Sequence, residues 1–498
     1  MKIRELFINS DQEVIVKVVK EVLSLFKIDI YPVAPDYAKI AIYNEKLLTA
    51  GVVKLQTIVL LKALDGTEKH YEITDTGKPD ENERASLHRL VKLNLYHIFR
   101  RELGMKAAPW GVLHGVRPTK IVHRFLTAGL NREAVINRLM IDYEVSEEKA
   151  SYLTELAIRQ LPFLATADDK LISIYVGIPY CLSRCLYCSF PAYVLPKEKE
   201  LDIFMTAFAK DLAGAVAAVR KYGFKIQSIY VGGGTPTSLP DDYFRRMLKS
   251  VYEAFYGEET IEFTVEAGRP DSMSPDKIKT MLDCRVNRVS VNPQTMQQKT
   301  LKRIGRNHTP EAVVKMYQDL REAGIPEINM DLILGLPGET AADVENTMQQ
   351  LAPLAPDDIT IHSLALKRGS ILKMQLEEYE LPDDETTQEM FKVAMKYISD
   401  WGLRPYYLYR QGYQSGQLEN VGCCREGAES MYNIQIMEER QTIIGVGGSA
   451  TTKVVFPETK RLKAVFTPKE LSIYLRDTDI YIEKRAKLLA DAYEGIGG

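Results

Sequence analysis

The chain is expected to fold as an α/β protein built on a parallel sheet, with an α+β region on either side. Three observations predict this. Six short apolar runs, Leu171–Ile178, Gln227–Val231, Ile261–Val265, Arg288–Val291, Glu327–Leu334 and Ile359–Leu366, read as strands. Amphipathic segments of helix length separate them, among them Glu200–Arg220, Asp241–Phe255, Pro310–Glu322 and Ala341–Leu351. The loops with the most chemistry follow the strands, where parallel sheets place their sites whether doubly wound or curled into a partial barrel.

The elements justify themselves in turn. Residues 1–165 read as a separate α+β domain to which no chemistry is assigned. Lys2–Asn9 is a short strand and Asp11–Phe26 a helix by its apolar spacing, and two β-branched runs in Leu47–Leu64 suggest a hairpin. Asp80–Leu103 is a longer helix with a broad apolar face. The Gly/Pro-rich loop Ala108–Lys120 interrupts the pattern, and helices then run to about Leu164. Within that loop Arg117 and Lys120 are candidate anion contacts, or the segment is simply a helix entry with Pro118 in the first turn. The alternating core occupies 171–370. From about Ile371 the alternation stops, and an α+β extension, 371–498, is expected to cover the substrate.

At 498 residues, with 45% hydrophobic and 26% charged residues, the chain has the composition of an ordinary soluble protein. A net charge of −3 leaves no basic footprint for nucleic acid. No apolar run is long enough to span a bilayer, and no signal segment follows Met1, so a cytoplasmic location is expected. Six cysteines in a chain of this size do not form a disulfide framework.

Three of the six stand together in Ile178-Pro-Tyr-Cys181-Leu-Ser-Arg-Cys185-Leu-Tyr-Cys188-Ser-Phe190. A zinc site would want four ligands, and no Cys-x2-Cys partner follows at a suitable distance. Three thiolates suit a [4Fe–4S] cluster that keeps one iron open for a small molecule. An exposed cluster of this kind favours an oxygen-poor cell. Cys423-Cys424 is either plain core or a redox-sensitive pair, and with Cys284 alone left over a second cluster has too few ligands.

Other residues recur at successive strand ends. Gly232-Gly-Gly-Thr-Pro-Thr237 follows the second strand, where glycines let the backbone approach a ligand and expose N–H donors. Glu266 ends the third strand, as a ligand contact or a helix cap. Gln294 follows the fourth, Arg306 comes shortly after, and Asp331 lies in Asn329-Met-Asp-Leu-Ile-Leu-Gly-Leu-Pro-Gly338. Arg306 has a surface charge as its plain alternative, and Asp331 a buried hydrogen-bonding role. Their recurrence favours one shared ligand.

The cysteine loop, Gly-Gly-Gly-Thr-Pro-Thr and Asp-Leu-Ile-Leu-Gly-Leu-Pro-Gly together resemble the radical S-adenosylmethionine (SAM) superfamily, specifically its oxygen-independent coproporphyrinogen III oxidase group. Within that group the chain is most similar to the HemZ-type coproporphyrinogen dehydrogenases. They share a long N-terminal extension, an aromatic run like Pro405-Tyr-Tyr-Leu-Tyr-Arg-Gln411 and a glycine-rich segment like Ile444-Gly-Val-Gly-Gly-Ser449. The resemblance implies a partial (β/α)6 barrel. It implies that Cys181, Cys185 and Cys188 ligate the cluster, and that SAM meets Tyr175, Gly233, Gly234, Thr235, Glu266, Gln294, Arg306 and Asp331. It further implies a tetrapyrrole substrate, oxidative decarboxylation of two propionates to vinyl groups by a SAM-derived radical, and a flavodoxin- or ferredoxin-type electron donor. Tyr406, Tyr407, Tyr409 and Arg410 are candidate substrate contacts, though alternate side chains of a strand face opposite ways.

The chain departs from the better-known oxidases at two places. Phe190 stands where they carry a fourth Cys, and Gly177 where they have His. Phe190 is shared with the related haem chaperones, whose His-Asn-x-x-Tyr-Trp haem motif is replaced here by Glu429-Ser-Met-Tyr-Asn-Ile-Gln435. A haem-binding chaperone and a haem methyltransferase are therefore the alternatives to the oxidase.

Overall fold

The computed structural model describes residues 1–10, 13–49, 52–78, 81–106, 108–113, 115–164, 168–367, 369–411 and 417–495. Asp11 and Asp80, named above, lie outside these, as does His114 of the loop Ala108–Lys120. The chain divides into two compact units, Met1–Ala157 and Ile158–Gly498.

In the first unit, β1 (Lys2–Asn9), β2 (Asp29–Ile30), β3 (Tyr37–Thr49), β4 (Val52–Lys62) and β5 (Glu68–Thr76) form one sheet in the order β2-β1-β3-β4-β5. Strand β4 shows why one face is covered: Val53, Leu55, Thr57, Val59 and Leu61 are buried, and the residues between them are not. Two helices, α1 (Glu13–Leu25) and α2 (Glu83–His97), share the hydrophobic core with this face. Asn94 of α2 fastens helix to sheet by donating to Thr57 Oγ1 at 3.0 Å and Leu55 O at 3.3 Å. The hairpin expected within Leu47–Leu64 is a larger one, β3 against β4 over Tyr37–Lys62. The early part of β3 escapes sequence reading because the polar run Asn44-Glu45-Lys46 separates it from Leu47, and β5 because it is mostly polar. Helices α3 (Thr119–Thr127), α4 (Arg132–Tyr143) and α5 (Glu147–Leu164) follow, α3 entered directly from Pro118.

The second unit opens with β6 (Leu171–Ile178), a short pair β7 (Tyr180–Cys181) and β8 (Tyr193–Val194), and α6 (Glu198–Tyr222). It continues through β9 (Lys225–Gly233), α7 (Asp241–Phe255), β10 (Glu262–Glu266), α8 (Pro275–Asp283), β11 (Arg288–Gln294), α9 (Gln298–Arg303), α10 (Pro310–Glu322), β12 (Glu327–Leu334), α11 (Ala341–Leu351) and β13 (Asp358–Ser363). Serine or threonine caps followed by proline start α8 and α10, at Ser274-Pro275 and Thr309-Pro310. The six strands expected from sequence are all present, within a few residues at each end. They lie side by side in chain order, β6-β9-β10-β11-β12-β13, every pair parallel. A doubly wound sheet reverses its strand order near the middle. This sheet does not, so it winds in one direction as a barrel-type sheet does.

Residues beyond Ile371 complete the same sheet: α12 (Ile371–Met374), α13 (Asp384–Asp400), β14 (Arg404–Tyr409), β15 (Asn420–Cys424), α14 (Met431–Glu438), β16 (Ile443–Gly447), β17 (Thr451–Val455), β18 (Leu462–Phe466) and α15 (Leu471–Tyr493). Strand β15 pairs antiparallel with β13, whereas β16 joins β6 as a seventh parallel strand. Asp211 of α6 locks this arrangement. It accepts from Gly447 N at 2.8 Å and Tyr474 OH at 3.1 Å, and pairs with Arg485 at 2.8 Å. All are buried. Asp211→Ala is expected to cost about 3–5 kcal/mol by leaving Arg485 an uncompensated buried charge, and Tyr474→Phe about 1 kcal/mol. Urea unfolding followed by circular dichroism measures both.

Candidate active site

The cysteine loop leaves the end of β6. Its three thiols are free, with Cys185 buried and Cys181 and Cys188 half-buried. The loop is held at several points. Leu186 N donates to Ile304 O at 3.0 Å, and the Leu186 side chain sits in an apolar cluster with Leu301, Ile304 and Leu336. Cys188 N donates to Cys185 O at 3.1 Å, and Ser183 Oγ to Gly305 O at 3.2 Å. Burial pushes the Cys181 thiol up to about 11, against a lowering contact from Thr235, and burial also raises Cys188. Such thiols ionise when a metal replaces their protons. Among the described residues, no three His, Cys, Asp or Glu side chains form a group that could hold a single metal ion. A cubic cluster instead spreads its thiolates over separate irons.

The glycine loop presses against this one. A Cβ on Gly234 would come within 2.4 Å of Tyr180 O and 3.0 Å of Cys181 Sγ, so no side chain fits. Gly233, at φ +114°, would meet Ile178 O at 2.7 Å. The N–H groups of Gly234 and Thr235 donate to Ile178 O and Tyr180 O at 2.8 and 2.7 Å. The expectation that this loop offers free donors needs correcting for those two groups: they are used to clasp the cysteine loop. Gly177 has a similar cause. A Cβ there would lie 2.4 Å from Gly448 O, which leaves no room for a histidine side chain.

Glu266 ends β10 and caps no helix; α8 is capped by Ser274. Its carboxyl accepts from Tyr230 OH at 2.7 Å. Burial raises its pKa to about 7, with Asp331 adding to the rise and Tyr230 and Gly233 opposing it. Tyr230 also lies in an aromatic stack with Tyr432, at 4.4 Å between centroids, and Tyr175, at 6.2 Å. Asp331 accepts from Asn329 at 2.7 Å and faces His362 at 3.7 Å.

Buried atoms that lack a partner among the described residues include Gln294 Oε1 and Arg306 Nε. Gln294 holds φ +66°, a costly conformation for a non-glycine residue, at a register shift in β11. Arg306 is 5% exposed and so is no surface charge. Its Nη1 donates to Gly268 O at 3.2 Å and to Asn292 O, and it faces Cys185 and Tyr187. Orphaned polar atoms beside a soft-donor cysteine set fit a polar ligand that bridges them to a cluster.

A cavity of about 960 Å³ borders the loop, with Cys188 and Phe190 in its wall. Arg184, Lys367 and Lys469 also line it, and none of its lining residues is Asp or Glu. These three cations form no ion pair among the described residues. Burial lowers the Lys367 pKa, Cys188 opposes this, and Lys469 adds to the lowering. His362 lies in the same wall. Sequence reading missed these residues. The strand-end rule points to His362 and Lys367, which end and follow β13; nothing in the sequence marks Lys469.

The aromatic run is divided. Tyr406 is fully buried and donates to Asp358 at 2.7 Å, in a network where Asp358 also pairs with Arg288. Tyr407 is buried at 3.1 Å from Thr360 Oγ1. Neither lines the cavity. Tyr409 reaches the cavity wall through His362 Nδ1 at 3.3 Å, and Arg410 is half-buried, with its pKa pushed down to about 10 by burial. Cys423 and Cys424 are buried in β15, where burial raises both thiols, and Arg159 donates to Cys424 Sγ at 3.4 Å. These are the properties of core cysteines.

The Radical SAM superfamily profile matches residues 175–351. The oxygen-independent coproporphyrinogen-III oxidase-like protein HemZ of Bacillus subtilis is 34% identical over 91% of this chain and 94% of its own length. Heme chaperone HemW of the same organism is 28% identical over 56% of the chain and 70% of its own length. Coproporphyrinogen III oxidase (HemN) from Escherichia coli, a radical SAM enzyme, superposes with a TM-score of 0.52 at 22% identity, over 65% of this chain and 72% of that one, and so shares the fold. An enzyme fold whose cofactors are a [4Fe–4S] cluster and SAM is thereby defined. The chain belongs to the radical SAM superfamily and, within it, to the HemZ-type group of coproporphyrinogen-III-oxidase-like proteins.

Because its native pKa exceeds that of the unfolded chain, Glu266 stabilises most below about pH 4.5, and that contribution is lost as pH rises through about 7. Glu266→Gln is therefore expected to gain on the wild type across this window, by on the order of 2–3 kcal/mol in total. Parallel denaturant titrations of both proteins at pH 4.5, 6 and 7.5 check it.

Proposed function

We propose that this chain decarboxylates propionate side chains of coproporphyrinogen III to vinyl groups, giving protoporphyrinogen IX without oxygen. The observation that carries the reading is the cavity beside Cys188, with three unpaired cations and no acid in its lining. A tetrapyrrole bearing propionates is flat and polyanionic, and the volume of about 960 Å³ lies in the range of small-molecule sites. The 34% identity to a coproporphyrinogen-III oxidase-like protein over nearly the whole chain supports the same substrate class.

Cys181, Cys185 and Cys188 would hold the cluster. Tyr175, Gly233, Gly234, Thr235, Glu266, Gln294, Arg306 and Asp331 would surround SAM, with Arg306 suited to its carboxylate. When bound, these cofactors supply the 5′-deoxyadenosyl radical that takes hydrogen from the propionate β-carbon. Loss of CO2 from the substrate radical, with one electron passed to a separate one-electron acceptor, then leaves the vinyl group. The chain's own part is positioning. Arg184, Lys367 and Lys469 hold carboxylates, and Phe190 and Phe466 offer apolar surface to the ring system. A low-potential donor of flavodoxin or ferredoxin type is the partner the reaction requires.

The test is an anaerobic assay of the cluster-loaded protein with SAM, reductant and coproporphyrinogen III. Two lost carboxyl groups by mass spectrometry, with matching 5′-deoxyadenosine and none of either in Cys181→Ala, are expected. Lys367→Met and Lys469→Met are each expected to lower kcat/KM about 10- to 100-fold, the range of one charged hydrogen bond. Phe190 and the chaperone relatives favour haem binding as the second reading. Deoxyadenosine with an unaltered tetrapyrrole, and stoichiometric haem binding, would decide for it.

A further inference from the structure

We propose that Arg269 is the positioning residue that gives the cysteine loop its ligating shape before the cluster is inserted. This rests on the cluster alone, whichever substrate is used. Arg269 follows β10 in Glu266-Ala-Gly-Arg-Pro270 and is 2% exposed. Burying a guanidinium is costly unless its donors are matched. Here the fork grips two partners. Nε and Nη2 donate to the Asp271 carboxylate at 3.0 and 2.7 Å. Nη1 donates to Ser183 Oγ at 2.6 Å and reaches Ser183 O at 3.3 Å.

Ser183 is the middle residue of the spacer between Cys181 and Cys185. Its hydroxyl passes the grip on to Gly305 O. Arg306 takes the backbone oxygen of Gly268, next to Arg269, and faces Cys185. Two buried guanidinium groups thus stand near the first two cysteines. Packing alone would be met by a neutral side chain of similar length. The matched fork is explained by the need to fix the turn after β7, residues 182–190, which contains no helix or strand.

The test uses the full chain as Arg269→Met, Arg269→Lys and Ser183→Ala. The apo proteins are melted by circular dichroism. They are then reconstituted anaerobically and analysed for iron and sulfide per chain, and by electron paramagnetic resonance of the reduced cluster with and without SAM. Arg269→Met is expected to melt within a few degrees of wild type, to load less than half the iron and to give an altered spectrum. Arg269→Lys, which keeps the charge without the fork, should fall between. Wild-type loading with an unchanged spectrum in Arg269→Met would overturn the assignment. If that variant does not fold, Ser183→Ala decides: a loading deficit in a stable chain supports the grip, and wild-type loading and spectrum overturn it.

Discussion

The close approach of backbone to backbone around β6 is the constraint on which the rest of this structure depends. On one side Gly233 and Gly234 lie against Ile178 and Tyr180; on the other, Gly447 and Gly448 lie against Gly177. Neither contact leaves room for a Cβ. With β6 clasped in this way, the segment that follows it begins from a fixed point, and Cys181 in β7 and the two cysteines of the turn beyond it are held in place. Hydrogen bonds from Leu186, Ser183 and Arg269 then finish a placement that sterics have already begun.

The charges are sorted in space. Glu266 at the end of β10 gathers with Tyr230, and Asp331 within β12 adds its negative charge to both. Arg184, Lys367 and Lys469 gather at the cavity beyond Cys188, where no acid lines the wall. His362 touches both territories, facing Asp331 on one side and the cavity on the other. Opposite fields in neighbouring places favour groups of opposite charge, each in its own place.

Much of this was legible in the sequence. The six central strands and four of the helices stand out because buried parallel strands are almost wholly apolar, and helices covering one face are amphipathic. Cys181, Cys185 and Cys188 are legible from their spacing. The direction of winding was not legible, since doubly wound and barrel-type sheets share one local pattern. The roles of the tyrosines in β14 were open for a similar reason. Tyr406 and Tyr407 look like substrate contacts until Asp358 and Thr360 are found beneath them, far away in sequence. Lys469 reaches the cavity from after the edge hairpin β17–β18, and a contact made only by tertiary folding leaves no local trace. The two-strand reading of Leu47–Leu64 fell short because the polar run Asn44-Glu45-Lys46 interrupts β3, and pairing with β4 carries the strand through it.

The pairing of β16 with β6 joins Ser173–Gly177 to Ile443–Gly447, across more than half the length of the chain. During synthesis the other parallel strands emerge and can assemble while one edge of β6 is still bare. A bare apolar edge recruits strands from other chains, and contacts this distant in sequence form slowly. The cysteine loop reaches the cell long before the strand that braces its base. Until about the last ninth of the chain is made, the cysteine loop therefore stands on a strand with one edge unpaired.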